Sequence, residues 1–287
     1  MEQIIGVIGG SGLYALPGVT EVRTVTVDTP FGQPSGPLTV GRLGNVRLVF
    51  LPRHGVGHHL LPSEVPYRAN VFALKQMGVS WAISVSAVGS LREDIEPGHV
   101  VLPDQFIDRT KGVRADTFFG DGVVAHVPFG DPVCDTLRMH LHRAAVNEGA
   151  TVHNGGTYVV MEGPAFSTRA ESELYRSWGA SVIGMTNLPE AKLAREAGIS
   201  YATLAMATDY DCWHPDHDQV DVAQIISTLM ANVSMAKQIV ARAVPDIAAH
   251  SGPNPHHDAL KNAIITQPDA MNLETRERLM PLIGAFL

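Results

Sequence analysis

Seven residues from Tyr201 to Ala207, Tyr-Ala-Thr-Leu-Ala-Met-Ala, contain no charge, glycine or proline. A run of this kind fits a strand buried on both faces, inside a sheet covered by helices. It continues into Thr208-Asp209-Tyr210-Asp211-Cys212-Trp213, where two carboxylates stand one residue apart. Ligand sites of open α/β sheets lie beyond the carboxyl ends of their strands. Residues i and i+2 of an extended chain share a face, so Asp209 and Asp211 are expected to point at one ligand. Two carboxylates that close resist ionising together, and a proton kept by one can pass to a leaving group. A helix cap or turn pair is the competing reading, because Asp is common in turns.

The rest of the chain alternates around this stretch. Short apolar runs predict strands at Ile4 to Ile8, Val46 to Leu51, Val79 to Val85, His99 to Leu102, Thr157 to Met161 and Ser181 to Gly184. Between them, Tyr67, Val71 and Leu74 recur at helical spacing, with Ser63 as N-cap and Gly78 as stop. Asp131-Pro132 is expected to open a second helix, lined by Leu137, Leu141, Ala144 and Ala145 and ending at Gly149. Further helices are expected over Ser167 to Trp178 and from Thr186 or Asn187 to Gly198. A last long stripe of Val222, Ile225, Ile226, Leu229, Val233, Ala236 and Val240 is closed by Pro245. Residues 104–130 read as an extended loop region, and residues 250–257 as a linker to a final helical segment. No composition break or repeat divides residues 1–287, so the expectation is one α/β domain, a mixed sheet flanked by helices.

Composition narrows the function. A net charge of −8 without a cluster of Lys and Arg argues against a nucleic-acid surface. The two cysteines, Cys134 and Cys212, lie far apart, which fits a reducing compartment without structural zinc. The N-terminus has no basic segment ahead of its glycine-broken apolar run, and no stretch is long enough for a membrane span. A soluble, cytoplasmic protein is expected.

Five predicted strand ends carry a common chemistry: Gly9-Gly10-Ser11-Gly12, Arg53-His54, Ser86-Ala87, Met185-Thr186 and Asp209. Backbone N–H groups flanked by glycine, hydroxyls and one arginine fork are the parts of an anion cradle. Gly10 to Ala15 formally matches a dinucleotide fingerprint, but Pro17-Gly18 breaks the helix that should follow, and no acidic residue ends a second strand. No P-loop signature is present. His54, His58 and His59 sit among glycines without a metal-binding spacing, so no metal is expected. Cys212 reads as a packing residue, and Phe166 and Trp213 as core residues before ligand-stacking ones.

With those residues in view, the chain resembles the 5′-methylthioadenosine phosphorylases, a branch of the trimeric purine nucleoside phosphorylases. The resemblance is carried by seven motifs in order: Gly6 to Leu13, Arg53-His54-Gly55, Ser86 to Glu93, Asp104 to Thr110, Glu162 to Ser167, Gly184 to Ala191 and Ala207 to Trp213. It covers about residues 4 to 244, and the tail 246–287 matches poorly.

The resemblance implies a reaction in which phosphate and a purine nucleoside give free base and pentose 1-phosphate. Inorganic phosphate is then a co-substrate, and no cofactor is needed. By position, Ser11, Arg53, His54, Ser86, Ala87 and Thr186 would hold phosphate, Met185 would pack on ribose and Phe166 on the purine. Asp209 and Asp211 would address the base, Ser167 and Val222 would shape specificity, and His126 would reach the 5′ pocket of a neighbouring subunit in a homotrimer. Relatives acting on 6-oxopurines carry Asn at the position of Asp209, so the carboxylate implies a 6-aminopurine substrate. The segment Asp116 to Pro128, mixed and glycine-rich around Phe118 and Phe119, is the part expected to cross to the neighbour.

Overall fold

A computed structural model describes residues 3–10, 12–13, 16–215 and 222–287, although the side chains of 222–227 and 229 are outside the description. The first strand, β1 (Ile4–Gly9), leads through a glycine turn to a meander of β2 (Val19–Val25), β3 (Leu38–Leu43) and β4 (Val46–Pro52). β2 and β3 lie in stretches that the sequence reading left unassigned. A strand, not a helix, follows the glycine turn, so the dinucleotide fingerprint fails on architecture. α1 (Tyr67–Gln76) then leads to β5 (Trp81–Ser90), β6 (Val100–Leu102) and β7 (Gln105–Arg109). β7 falls inside the segment expected to be loop; its residues are mostly exposed or half-buried, so no apolar run marks it.

The second half contains α2 (Asp135–Asn147), β8 (Val152–Asn154), β9 (Thr157–Met161), α3 (Arg169–Ser177), β10 (Val182–Gly184), α4 (Asn187–Glu196), β11 (Ser200–Asp209), α5 (Val222–Ala248) and α6 (Leu273–Ile283). Three helix boundaries differ from expectation. α1 is capped at Pro66 rather than Ser63, and α2 starts at Cys134-Asp135 rather than Asp131-Pro132. α5 runs past Pro245 to Ala248. Thr168, in contrast, caps α3 through a reciprocal box with Glu171.

The sheet runs β2-β3-β4-β1-β5-β10-β9-β7, and β11 joins β5 to β6 and β8. Both faces are covered. Ile5, Val7, Trp81, Ile83, Leu204 and Met206 meet Leu137, Leu141, Ile239 and Val240 on one side. Ile8, Ala82, Tyr201 and Ala205 meet Val71, Leu74, Leu193 and Leu279 on the other. The charge-free run Tyr201 to Ala207 is fully buried at the centre, alternating between the two cores as a period of two requires.

β5 organises the functional end of the sheet. Its first half, Trp81 to Ser84, pairs with β1, and its last residues, Gly89 and Ser90, pair with β10. Between them, Val85 to Val88 have no strand partner on that edge, so the sheet forks there. β11 follows the opposite edge of β5 along nearly its whole length.

The segment expected to reach a neighbouring subunit, residues 116–128, makes extensive contacts within its own chain. Phe118 and Phe119 are buried in this chain's core, and Phe118 packs edge-on against Phe72 and tilted against Phe31. Thr117 Oγ1 and the Phe118 amide both donate to the Glu196 carboxylate, each at 2.7 Å. Residues 124–126 pair with 263–266 of the C-terminal tail, which is itself folded onto the core through Met271, Leu279, Leu282 and Ile283.

Candidate active site

The fork in the sheet gathers the predicted anion groups. Ser86 and Ala87, expected to follow a strand, lie within β5 where the edge away from β11 has no strand partner, and Ala87 is the strand's one exposed residue. Arg53 follows β4 and is 2 % exposed. Its Nε donates to Glu190 Oε2 at 2.8 Å and NH2 to Glu190 Oε1 at 3.0 Å. NH2 also donates to Ser84 Oγ at 2.6 Å, and NH1 to the carbonyl of Val85 at 3.0 Å, which satisfies the free strand edge. Ser84 and Tyr201 hydroxyls add two more hydrogen bonds to Glu190 Oε1. Burial alone would weaken the guanidinium's charge, but Glu190 outweighs it and holds Arg53 ionised more firmly than usual. Of its five donors, one NH1 hydrogen is left for a ligand, so Arg53 cannot present the open fork that sequence reading imagined.

His54 follows directly. Its Nδ1 lies 2.9 Å from the carbonyl of Leu60, which can only accept, so the hydrogen sits on Nδ1 and Nε2 is left as an acceptor. Burial, reinforced by Arg53, pushes the ring down to about 4, so it is neutral at pH 7. It stacks on His58 at 4.2 Å between centroids. Among the described residues no three His, Cys, Asp or Glu converge as metal ligands.

Across the fork, Thr186 is the buried N-cap of α4, and its side chain makes no capping bond. Ser86 Oγ donates to Asn187 Oδ1 at 3.3 Å, and Asn187 donates in turn to Thr203. Ser86, Thr186 and the Arg53 network therefore share one end of the sheet. Ser11 lies outside the described residues, as does the side chain of Val222.

The two aspartates adopt a different geometry from the one their spacing suggests. A bulge at Thr208 shifts the register between Ala207 and Asp209, and Asp211 takes a left-handed conformation at φ 53°. The pair faces itself instead of extending side by side. The Asp211 amide donates to Asp209 Oδ1 at 2.8 Å, and Thr208 Oγ1 donates to Asp209 Oδ2 at 2.7 Å. Gly89 makes the room: a Cβ there would lie 3.0 Å from Asp209 Oδ1 and 3.3 Å from Asp211 Cβ. Burial raises Asp209 above the usual carboxylate range, against those two hydrogen bonds. Asp211 is pushed up to about 6 by burial, opposed by the hydroxyls of Ser172 and Ser167 and helped by Asp209. Neither hydroxyl bonds Asp211 Oδ2, which is buried without a partner. Both oxygens of Asp209 already accept hydrogen bonds, whereas Asp211 keeps an oxygen that none of its neighbours occupies.

Beside the pair, Phe166 is 47 % exposed and free to meet a ligand, whereas Trp213 is buried and donates to the Ser90 carbonyl. Cys212 Sγ donates to the carbonyl of Ser167, a packing contact. The side chain of Met185 lies against Gly163, where φ is +69° and an added Cβ would collide with Sδ. His126 is exposed, its amide held by the carbonyl of Ala263. Sequence reading missed Glu190 as the partner of Arg53, Thr208 as the bulge, and Arg114. Glu190 and Arg114 stand at no predicted strand end and are marked only by their partners across the fold, whereas Thr208 follows the predicted strand directly but gives no local sign of a bulge.

A sequence profile of the phosphorylase superfamily matches residues 4–245. The chain belongs to the phosphorylase superfamily. Within this superfamily it is 61% identical, over all 287 residues and the whole of both chains, to S-methyl-5′-thioadenosine phosphorylase of Geobacter sulfurreducens. It is 58% identical over 282 residues to the enzyme of the same name from Chloroflexus aurantiacus, covering 98% of each chain. The first of these alignments spans the tail, residues 246–287. Among solved structures, a methylthioadenosine phosphorylase from an Antarctic soil metagenomic library superposes with a TM-score of 0.93 at 51% identity, covering 98% of this chain and 99% of that one. Methylthioadenosine phosphorylase from Schistosoma mansoni, solved in complex with adenine, gives a TM-score of 0.82 at 40% identity over 86% of this chain and 93% of its own.

Proposed function

We propose that the chain catalyses phosphorolysis of S-methyl-5′-thioadenosine to adenine and 5-methylthioribose 1-phosphate. The observation that carries this reading is the pair of Asp209 and the buried Asp211 at the end of β11, joined through the Asp211 amide and set beside the forked strand where the anion groups gather. As the C1′–N9 bond breaks, positive charge builds on the ribose and the bonding electrons move onto the purine. A phosphate oxygen forms the new bond to C1′. The pair supplies a proton to N7, a general-acid contribution typically worth about 10²–10⁴-fold.

Phosphate would be held by Ser11, the last NH1 hydrogen of Arg53, His54, Ser86, the backbone at Ala87, and Thr186. A neutral His54 with an acceptor at Nε2 suits the hydroxyl of hydrogen phosphate. Met185 would cover the ribose, Phe166 the purine face, and Ser167 and Val222 the specificity pockets. His126 would serve the 5′ substituent of a neighbour in a homotrimer. No cofactor takes part, and a cytoplasmic location is part of the reading.

A 6-aminopurine offers an acceptor at N7 and a donor at N6, which match an acid beside a carboxylate. A 6-oxopurine sets its O6 lone pairs against that carboxylate, a mispairing worth roughly 1–3 kcal/mol. Wild-type protein is therefore expected to cleave methylthioadenosine at least about tenfold better in kcat/KM than methylthioinosine, with Asp209→Asn narrowing the gap. Base release that continues undiminished without phosphate would reject phosphorolysis, and tight nucleoside binding without turnover would mark a binding module.

A further inference from the structure

Arg114 lies in the stretch between β7 and the Phe118 anchor, outside every motif of the phosphate, ribose and base groups, and is 6 % exposed. Its guanidinium ties four separate parts of the chain together. Nε donates to Glu162 Oε1 at 2.9 Å, and NH2 to the Glu162 carbonyl at 2.9 Å. NH1 donates to the carbonyls of Met185 at 2.6 Å and Leu188 at 2.7 Å, and lies 3.3 Å from Tyr67 Oη at the start of α1. The second Glu162 oxygen accepts from the Lys111 amide at 2.8 Å, closing the loop that carries Arg114 back onto the same turn.

We infer that Arg114 is a positioning residue that sets where Met185 and Thr186 stand relative to the base pocket. The Met185 and Leu188 carbonyls flank Thr186 and belong to the turn from β10 into α4. Glu162 begins the turn after β9, which includes Gly163, the bed of the Met185 side chain. One planar cation therefore fixes both halves of the Met185–Gly163 contact, which a lysine with a single ammonium cannot reproduce. No hydrogen bond of Arg114 goes to Asp209, Asp211 or Gly89, so the aspartate side of the base pocket is held independently. This inference rests on the phosphorolysis reading for the identity of the ligands, but the geometry it concerns is that of the turn.

The test is steady-state kinetics of Arg114→Lys together with binding of free adenine. A misplacement of the ribose and phosphate groups is expected to raise KM for both methylthioadenosine and phosphate by about tenfold or more. The Kd of free adenine should change by less than about threefold, because adenine is held chiefly by Asp209 and Asp211, which Arg114 does not touch, with Phe166 adding only its ring face. A purely structural arginine would lower thermal stability and leave both KM values unchanged, and that result would overturn the inference. So would a parallel loss of adenine affinity. If Arg114→Lys does not fold, Glu162→Gln keeps the guanidinium and weakens its anchor, and must show the same split with a smaller rise; unchanged KM values there would also overturn it. Failure of phosphate-dependent turnover in wild-type protein would reject the functional reading instead.

Discussion

Asp211 concentrates the chemistry of the site in one side chain. Its carboxyl is buried beside Asp209, and its Oδ2 has no hydrogen-bond partner, so its neutral form is favoured up to about pH 6. If the proton on the pair is the one delivered to N7, kcat/KM should be level at low pH and fall once the pair ionises, at an apparent pKa of about 6 or above. A profile that stays flat to high pH would remove the pair from proton transfer. The same residue shows how far local spacing reaches. An i, i+2 pair of aspartates is visible in the sequence, but its extended geometry is not what forms, because Thr208 bulges and Asp211 turns left-handed. Arg53 repeats the lesson: its burial partner, Glu190, is 137 residues away, and no local pattern pairs them.

At the scale of elements, the anchor between α4 and the Thr117–Phe119 segment is a pH-sensitive joint outside the site. Glu196 accepts from Thr117 and the Phe118 amide, yet burial dominates and pushes its carboxyl up to about 7. A raised carboxyl favours the folded state while protonated. The stability it contributes is therefore full below its ordinary range near 4.5 and is lost as pH rises through about 7. Glu196→Gln resembles the protonated form: its amide can donate to Thr117 Oγ1 while its carbonyl accepts from Phe118. The variant should melt at a temperature equal to or above wild type at pH 8, by several degrees for a difference of about 2 kcal/mol, and the two should converge near pH 5. A constant offset between the two curves from pH 5 to 8 would show that Glu196 stays ionised throughout. β7, hidden from sequence reading by its polar surface, belongs to this scale too: parallel pairing with β9, not hydrophobic patterning, makes it a strand.

At the scale of the whole molecule, large apolar side chains remain uncovered beside site segments: Val56 near His54, Val113 next to Arg114, and Val124 close to His126. A homotrimer that covers such surfaces and brings His126 to a neighbour's 5′ pocket should appear as a single species of three chains by light scattering. His126→Ala should then raise KM for methylthioadenosine several-fold, by about 1 kcal/mol, without changing that for phosphate; a fully active monomer would refute the arrangement. What the sequence by itself determined is the covered α/β sheet, its central strand and the chemical character of each strand end, because burial and turn chemistry are written in runs of a few residues. The tertiary structure alone decided which groups have hydrogen bonds to spare. Arg53 spends four of its five donors on Glu190, Ser84 and Val85, Arg114 spends its own on two turns, and Asp211 keeps an unpaired oxygen. Those outcomes depend on partners far apart in the chain that the forked sheet brings within 3 Å or so of each other, and no local run of residues encodes that meeting.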